Sequence, residues 1–532
     1  MNNSSMLLRS LVIYAIILPL AIFLGYMLAG PLTWTSFGTV AGVIAILVFP
    51  IFLRFHHPWM IFGWNATMIV FFLPGAPKVW LPLVAGSLVI SIARRAVDQR
   101  FRFISVPELT WPLVFLVLVI LLTAKATGGI GLRSMGGNVY GGKRYFFLLG
   151  AIFGYFALVA HRIPNDTINI RFLLHRIPFQ RSNVYISLFL LGGLTSLIGD
   201  IALRLGGEGL TSVFMFFPPS PVMEAESGLV RLASVNAVCT VICLFLLANF
   251  GIRELFSLRR PFWLALFVVS MGASLLGGFR SALIALGLAF TLQFYLEGLH
   301  RSKLLPAFFL CGVMAAVVGL PFVKHMPYSV QRTLSFLPID VDPIARMDAE
   351  SSSEWRLNIW KAVVPQIPKY FFLGKGLALT QDDFAFSLST FTGTMQETSS
   401  EDNWAALSGD YHSGPLSVII PFGIWGVIGV IWFFIAGTRV LYKNYKYGDS
   451  SLRVINSFLL AGFVTKIVIF LFVFGGFYGD MQAFIGYLAM SVCLNGGVAR
   501  LADETAPEKA PADHVTKLPA RPRPVLGRPA TV

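Results

Sequence analysis

Charge is scarce in this chain, and negative charge is scarcest. Only 13% of the 532 residues are charged, with 26 Asp and Glu against 41 Lys and Arg. Soluble domains carry about 25% charged residues. A string of soluble domains is therefore excluded. There are only four cysteines, Cys239, Cys243, Cys311 and Cys493, and all lie in apolar runs. That pattern supports neither a disulfide framework nor a zinc site; small apolar packing residues are the simpler reading. No internal repeat is visible. What the chain does have is apolar: 56% hydrophobic residues, 48 Phe, and a mean hydropathy of +0.73. This is the composition of a polytopic membrane protein.

Long apolar runs in hydrocarbon must satisfy their own backbone groups, so they are expected to be helices. Fourteen spans are expected, at 11–29, 36–53, 59–74, 78–93, 111–124, 145–160, 184–201, 231–250, 261–275, 281–297, 304–323, 415–437, 455–474 and 481–498. The third and fifth are short enough to be tilted, re-entrant or longer than these limits. The first resembles a signal peptide but lacks a clear cleavage site, so it reads as an uncleaved helix. The formal net charge is +15. Most Lys and Arg lie in short connections, where topology and anionic lipid account for them better than nucleic acid. With Arg9 inside, the basic groups around Arg94, Arg162, Arg253, Arg301 and Arg439 fall on the cytoplasmic side. Lys78, Lys125, Arg133, Lys143, Arg144 and Arg204 fall outside. Both termini are then cytoplasmic, and the tail from 503 is rich in proline and expected to be disordered.

The exception to the oily pattern is a polar stretch, 324–414, expected outside. Ser351-x-x-Glu354 reads as a capping box opening a helix through "WRLNIWKAVV", with Trp355, Ile359, Val363 and Ile367 on one face. "FFLGKGL" supplies a glycine turn at Gly374 and Gly376, and "DNWAALSGDYHSG" a second short helix. Rings are dense here: Trp355, Trp360, Tyr370, Phe384, Phe386, Phe391, Trp404 and Tyr411 among them. Such rings suit sugar stacking and interfacial anchoring equally.

Arg280 opens a span at the outer surface, where its planar fork beside a helix N-terminus suits a phosphate, or where it merely snorkels. Arg356 lies in the first turn of the expected loop helix, against the helix dipole; pairing with Glu354 or stacking on Trp360 is the alternative. His412 stands just before the next span, placed as a general base or as an interfacial cap. Lys466 lies deep in a span and needs a partner or a wet cavity. Asp480 is a candidate partner for an outer basic group, and Asp200 for Arg204. Asp340-x-Asp342, Asp382–Asp383 and Glu401–Asp402 are the acidic pairs, none with a further ligand at metal-binding spacing. His56–His57 reads as an interfacial pair.

In order, "GGFRSALIALGLAF", "WRLNIWKAVV…FFLGKGL" and "YHSGPLSVIIPFGIWGVIGV" resemble the O-antigen ligase and polymerase superfamily over about 270–437. Phe279 stands where that family has a small or polar residue, and Ser413 where it has Asn. The apolar spans and the polar stretch give an all-α bundle of about 14 transmembrane helices with one large helical periplasmic loop, and the resemblance implies that it is GT-C-like. Its parts are a membrane domain 1–323, the periplasmic loop 324–414, three last helices 415–498 and a cytoplasmic tail 499–532. It implies a metal-independent, inverting glycosyltransferase in the bacterial inner membrane, without cofactors. The donor is an undecaprenyl-pyrophosphate-linked glycan, and the acceptor a glycan or lipid. A chain-length regulator or export proteins are further candidate partners. Polysaccharide polymerase is the first reading; ligation to lipid A core and protein O-glycosylation follow. His412 is the catalytic candidate, Arg280 and Arg356 bind pyrophosphate, and Trp360, Tyr411, Lys466 and Asp480 are supporting candidates. A lipid-linked oligosaccharide flippase and a non-catalytic scaffold are the rivals. The first expects related halves and short loops, the second no convergence of Arg280, Arg356 and His412.

Overall fold

The computed structural model describes residues 34–128, 142–220, 230–378 and 411–500, apart from 72, 74, 173, 174 and 258, together with 130, 223–224 and parts of 15–26. Nine of the nineteen residues of the first expected span lie outside the described residues. So do the acidic pairs Asp382–Asp383 and Glu401–Asp402, the rings of Phe384, Phe386, Phe391 and Trp404, most of the second loop segment, Arg133 and the tail.

The chain is an all-α polytopic membrane protein. Its helices run α1 Trp34–Trp64, α2 Trp80–Val97, α3 Pro107–Ala126, α4 Gly142–Leu158, α5 Arg181–Leu191, α6 Ser196–Val213, α7 Ala233–Leu255, α8 Pro261–Ser274, α9 Arg280–Leu296 and α10 Leu304–Gly319. The polar stretch contributes α11 Tyr328–Leu334, α12 Pro343–Val363 and α13 Ile367–Tyr370. The chain then returns as α14 Gly414–Tyr447, α15 Arg453–Phe472 and α16 Phe477–Asn495. Among the described residues, seven helical stretches are long and apolar enough to cross a membrane. Strands are confined, among these residues, to two short hairpins, Thr167–Phe172 with His175–Gln180 and Met223–Glu224 with Val230–Arg231.

The core sits where α14, α15 and α16 pack on α3 and α4. Phe433, Phe463, Phe470 and Phe484 are buried together there. Gly437 lets α14 approach the Phe463 ring so closely that a Cβ would overlap it. At one end of the bundle Asn444, Asn456 and Asn495 tie these three helices. Asn456 Nδ2 donates to Asn444 O at 3.0 Å and Asn495 Nδ2 to Asn456 Oδ1 at 2.8 Å. The residues assigned to the basic side gather at this end: Lys443 pairs with Glu108 at 2.7 Å, and Arg162 lies against Gly496. The polar stretch lies at the opposite end, the loop end hereafter.

Four expectations are corrected. The third span is not a helix over 59–74. α1 kinks at Phe55 and ends at Trp64, and the chain then runs irregularly to α2, folding back on itself with Val70 N donating to Pro77 O and Val79 N to Met68 O, both at 2.8 Å. The fifth is longer than 111–124, occupying all of α3. Asp200 accepts from Ser220 N at 2.6 Å and from Ser234 Oγ, not from Arg204. The loop helix does not start at Ser351. It starts at Pro343, with Asp342 as N-cap accepting from Ile344 N at 2.9 Å. Ser351 Oγ instead donates back to Asp348 O at 3.1 Å, as a hydroxyl within a helix does. Arg356 is consequently mid-helix, and the dipole penalty argued for it does not apply.

Candidate functional site

The site is built on α12. Ala349, Ser353, Arg356 and Trp360 recur at i, i+4, i+7 and i+11, which places them in one stripe along that helix. Arg280, the first residue of α9, reaches this stripe: its Nη2 donates to Ala349 O at 2.7 Å and Ser353 Oγ at 3.2 Å. One turn further along, the Arg356 guanidinium lies over the Phe474 ring, 5.8 Å from its centroid. His412 stacks on the same phenyl ring, its own centroid 4.9 Å from that of Phe474. Trp355 closes on His412 from α12 at 5.0 Å. Arg280, Arg356 and His412 are thus linked through contacts spanning one helical stripe and one phenyl ring.

His412 has φ 48°, in the left-handed region, shared among described non-glycine residues only with Ala76. Such a backbone costs about 1–2 kcal/mol and persists where neighbours enforce it. The neighbours are visible. Trp360 Nε1 donates to Tyr411 O at 2.9 Å, and Tyr411 is buried with Ile359, Val363, Leu416 and Ile420. On the other side Gly414 presses against the Phe470 carbonyl, where a Cβ would overlap it. Trp360 and Tyr411 therefore act on His412 by holding its turn.

The glycine turn does more than reverse the chain. α14 is broken at Pro421–Gly423, with Gly423 at φ 61°, and the turn threads into the break. Lys375 N donates to Ile420 O at 2.8 Å, Gly376 N to Pro421 O at 2.9 Å, and Ile424 N to Phe371 O at 2.7 Å. The backbone groups that a broken helix leaves open are satisfied by the loop. Gly374 and Gly376, at φ 73° and 76°, pack on the Pro421 carbonyl and on Thr127, with no room for a Cβ.

The model of the O-antigen ligase family matches residues 262–431. The O-antigen ligase resemblance holds over this stretch. It contains Arg280, Arg356 and His412. A comparison with curated proteins finds none that matches.

Beyond the O-antigen ligase stretch, Lys466 and Asp480 prove to be each other's partner, at 2.6 Å. Asp480 Oδ2 also accepts from Gly476 N at 3.0 Å, and Ser417 Oγ accepts from Phe477 N at 2.9 Å. These bonds fix the 473–477 turn that carries Phe474. Three participants were not picked out from sequence. Arg332, buried on α11, pairs with Asp348 of α12 and donates to Gly278 O, so it clamps α12 to the turn preceding Arg280. Nothing in their spacing marks Arg332 and Asp348 as partners, since they lie on different helices. Phe474 is one of 48 Phe. The acidic pair Asp340-x-Asp342 is accounted for locally: Asp340 pairs with Lys324 at 2.9 Å and Asp342 caps α12.

Proposed function

We propose that this chain is a GT-C-like glycosyltransferase that transfers a glycan from an undecaprenyl-pyrophosphate carrier at the loop end, taken as the periplasmic face of the inner membrane. Residues 324–414 then form the periplasmic loop, and both termini lie in the cytoplasm. The observation that carries this reading is the shared Phe474 ring, which sets a guanidinium and an imidazole on one support.

The chemistry follows from those groups. An acceptor hydroxyl oxygen attacks the anomeric carbon while the carbon–oxygen bond to pyrophosphate breaks on the opposite face. The electron pair leaves with the pyrophosphate, and the hydroxyl proton passes to the His412 imidazole. Charge grows on the departing oxygen, where Arg356 is the nearest cation, with Arg280 one turn away. One well-placed donor to such a charge contributes about 3–4 kcal/mol to the transition state. Two guanidinium groups supply the charge neutralisation that a divalent ion supplies elsewhere, which supports a metal-independent, inverting reaction. Arg280 also acts as a positioning residue, because one arm of its fork holds α12. Polymerisation of lipid-linked repeat units is the first reading; transfer to lipid A core or to protein uses the same donor half-site.

The test is reconstitution in liposomes with a lipid-pyrophosphate glycan and a glycan acceptor, in the presence of EDTA. Transfer is expected to persist. His412→Ala is expected to lower kcat far more than donor KM, and Arg356→Ala to worsen both. Strict dependence on a divalent ion, or small and equal effects of both variants, overturns the mechanism.

A further inference from the structure

A second group of cations stands at the loop end, outside the stretch that matches the O-antigen ligase family. Lys143 and Arg144 open α4, and Lys78 lies just before α2. The two helices are held in register there, with the Trp80 ring 5.6 Å from Phe147 and Leu81 pressed on Gly150. Lys78 and Lys143 are exposed, and among the described residues neither forms an ion pair. Lys78 is exposed as a residue, yet crowding of its amine by protein atoms, and then the Lys143 ammonium, hold that amine below its ordinary range. Like charges are therefore gathered rather than neutralised. Arg144 lies over the Tyr478 ring, 5.9 Å from its centroid.

Tyr478 connects this group to the site. It follows Phe474 by four residues, a stretch that spans at most about 14 Å even fully extended. The α15–α16 connection and the first turn of α16 thus carry two ring-supported guanidinium groups: Arg356 on Phe474 and Arg144 on Tyr478. The Tyr145 hydroxyl, next to Arg144, accepts from Leu377 N at 2.8 Å, so the glycine turn also braces this rim.

A displacement with inversion needs its leaving group and its nucleophile on opposite sides of the reacting carbon. If the donor's pyrophosphate lies against Arg356, the acceptor arrives from elsewhere along residues 473–478. Short outward connections are normally poor in Lys and Arg, and gathering several of them at one such place calls for an anion to hold.

We propose that Lys78, Lys143 and Arg144 form the acceptor's anion subsite, which grips a phosphate-bearing lipid headgroup while the acceptor hydroxyl reaches His412. This rests on the glycosyl-transfer reading above and extends it to the second substrate. The shared chemistry is a membrane-anchored phosphate or pyrophosphate. Its source is either a second polyprenyl-pyrophosphate glycan, as polymerisation requires, or a phosphorylated glycolipid, as ligation requires.

The experiment uses full-length protein in phosphatidylcholine liposomes with saturating lipid-pyrophosphate donor. Three acceptors are compared: a second lipid-pyrophosphate glycan, a phosphorylated lipid A core glycolipid, and the same glycan without phosphate or lipid. For Lys143→Gln and Lys78→Gln, the preference for a phosphorylated acceptor over the phosphate-free glycan is expected to fall about tenfold each, through acceptor KM. Lys143→Arg is expected to keep most of that preference. The arm that loses its preference identifies the source. An unchanged preference in both arms overturns the subsite, as does an equal loss on all three acceptors. If the unsubstituted protein transfers to none of them, the glycosyl-transfer reading itself fails, which is a different result from either.

Discussion

His412 lies nearly parallel to Phe474, with 29° between the ring planes. The same phenyl ring supports Arg356. Removing it therefore disturbs two proposed functional groups at once without touching either. A cation over an aromatic face contributes about 0.5–2 kcal/mol, and a flat partner limits how the imidazole tilts. Phe474→Leu is expected to lower kcat about tenfold in the reconstituted transfer assay, whereas Phe474→Tyr stays within about twofold. Equal losses would mean that ring support is not what matters.

The backbone at His412 separates its chemistry from its geometry. At φ 48° an alanine is strained while asparagine tolerates the left-handed region better. His412→Asn and His412→Ala are both expected to lose turnover. Only the alanine variant should also lose about 1 kcal/mol of stability relative to the asparagine variant, read as a lower thermal midpoint in detergent. Identical midpoints would show that the turn relaxes freely.

How far the sequence discloses this arrangement differs by residue. The apolar spans and the polar stretch are legible because hydrocarbon leaves few alternatives for the backbone. Arg280 and His412 stand out because each borders an apolar span, and Arg356 because it lies between them in the motif order of the O-antigen ligase resemblance. Phe474 is not, since an abundant residue type carries no local mark. The Ser351-x-x-Glu354 pattern misleads: it has the letters of a cap, but Asp342–Pro343 upstream is the stronger start signal, with a side-chain acceptor followed by a residue preset for a first turn. The glycine turn is legible as a turn. That it threads into α14 is not, although Pro421 and Gly423 mark where α14 breaks. Arg332–Asp348 is tertiary and leaves no trace in spacing.

That threading makes Gly374 a stability determinant as well as a turn residue. A Cβ there overlaps the Pro421 carbonyl, and φ 73° is unfavourable for any side chain. Gly374→Ala is expected to cost at least about 1–3 kcal/mol and to expose the 371–376 segment to protease. A variant with unchanged thermal midpoint and protease resistance would show that the loop does not rely on this contact.

Lys466 and Asp480 lie mostly shielded, with side chains 26% and 14% exposed. Breaking a shielded pair by removing one partner strands the other charge, which for fully buried pairs costs about 3–5 kcal/mol. Partial exposure reduces that to about 2 kcal/mol for Lys466→Met or Asp480→Asn alone. The double variant is expected to cost clearly less than the sum, with a coupling of about 1–2 kcal/mol. Additive losses would show that the two residues act separately. The singles should also lower transfer activity, because Asp480 holds the Gly476 amide two residues from Phe474.

The opposite end of the bundle carries a pH dependence of its own. His161, in the connection after α4, packs against His56 and His57 with ring centroids 5.1 and 5.0 Å away, and Ser91 Oγ lies 3.4 Å from its Nε2. Burial first, then His57, His56 and Arg94, lowers its pKa to about 3. Its folded pKa thus lies below the unfolded value of about 6.5. The unfolded chain binds the proton more readily, so the stability that neutral His161 provides is complete above pH 6.5 and is lost as pH falls toward 3. Allowing for partial exposure, lowering pH from 7 to 4.5 is expected to remove about 1–2 kcal/mol. His161→Gln should make the fall of the thermal midpoint shallower over that interval while leaving the value at pH 8 close to that of the unsubstituted protein. A midpoint that falls equally steeply in both proteins would place the acid sensitivity elsewhere.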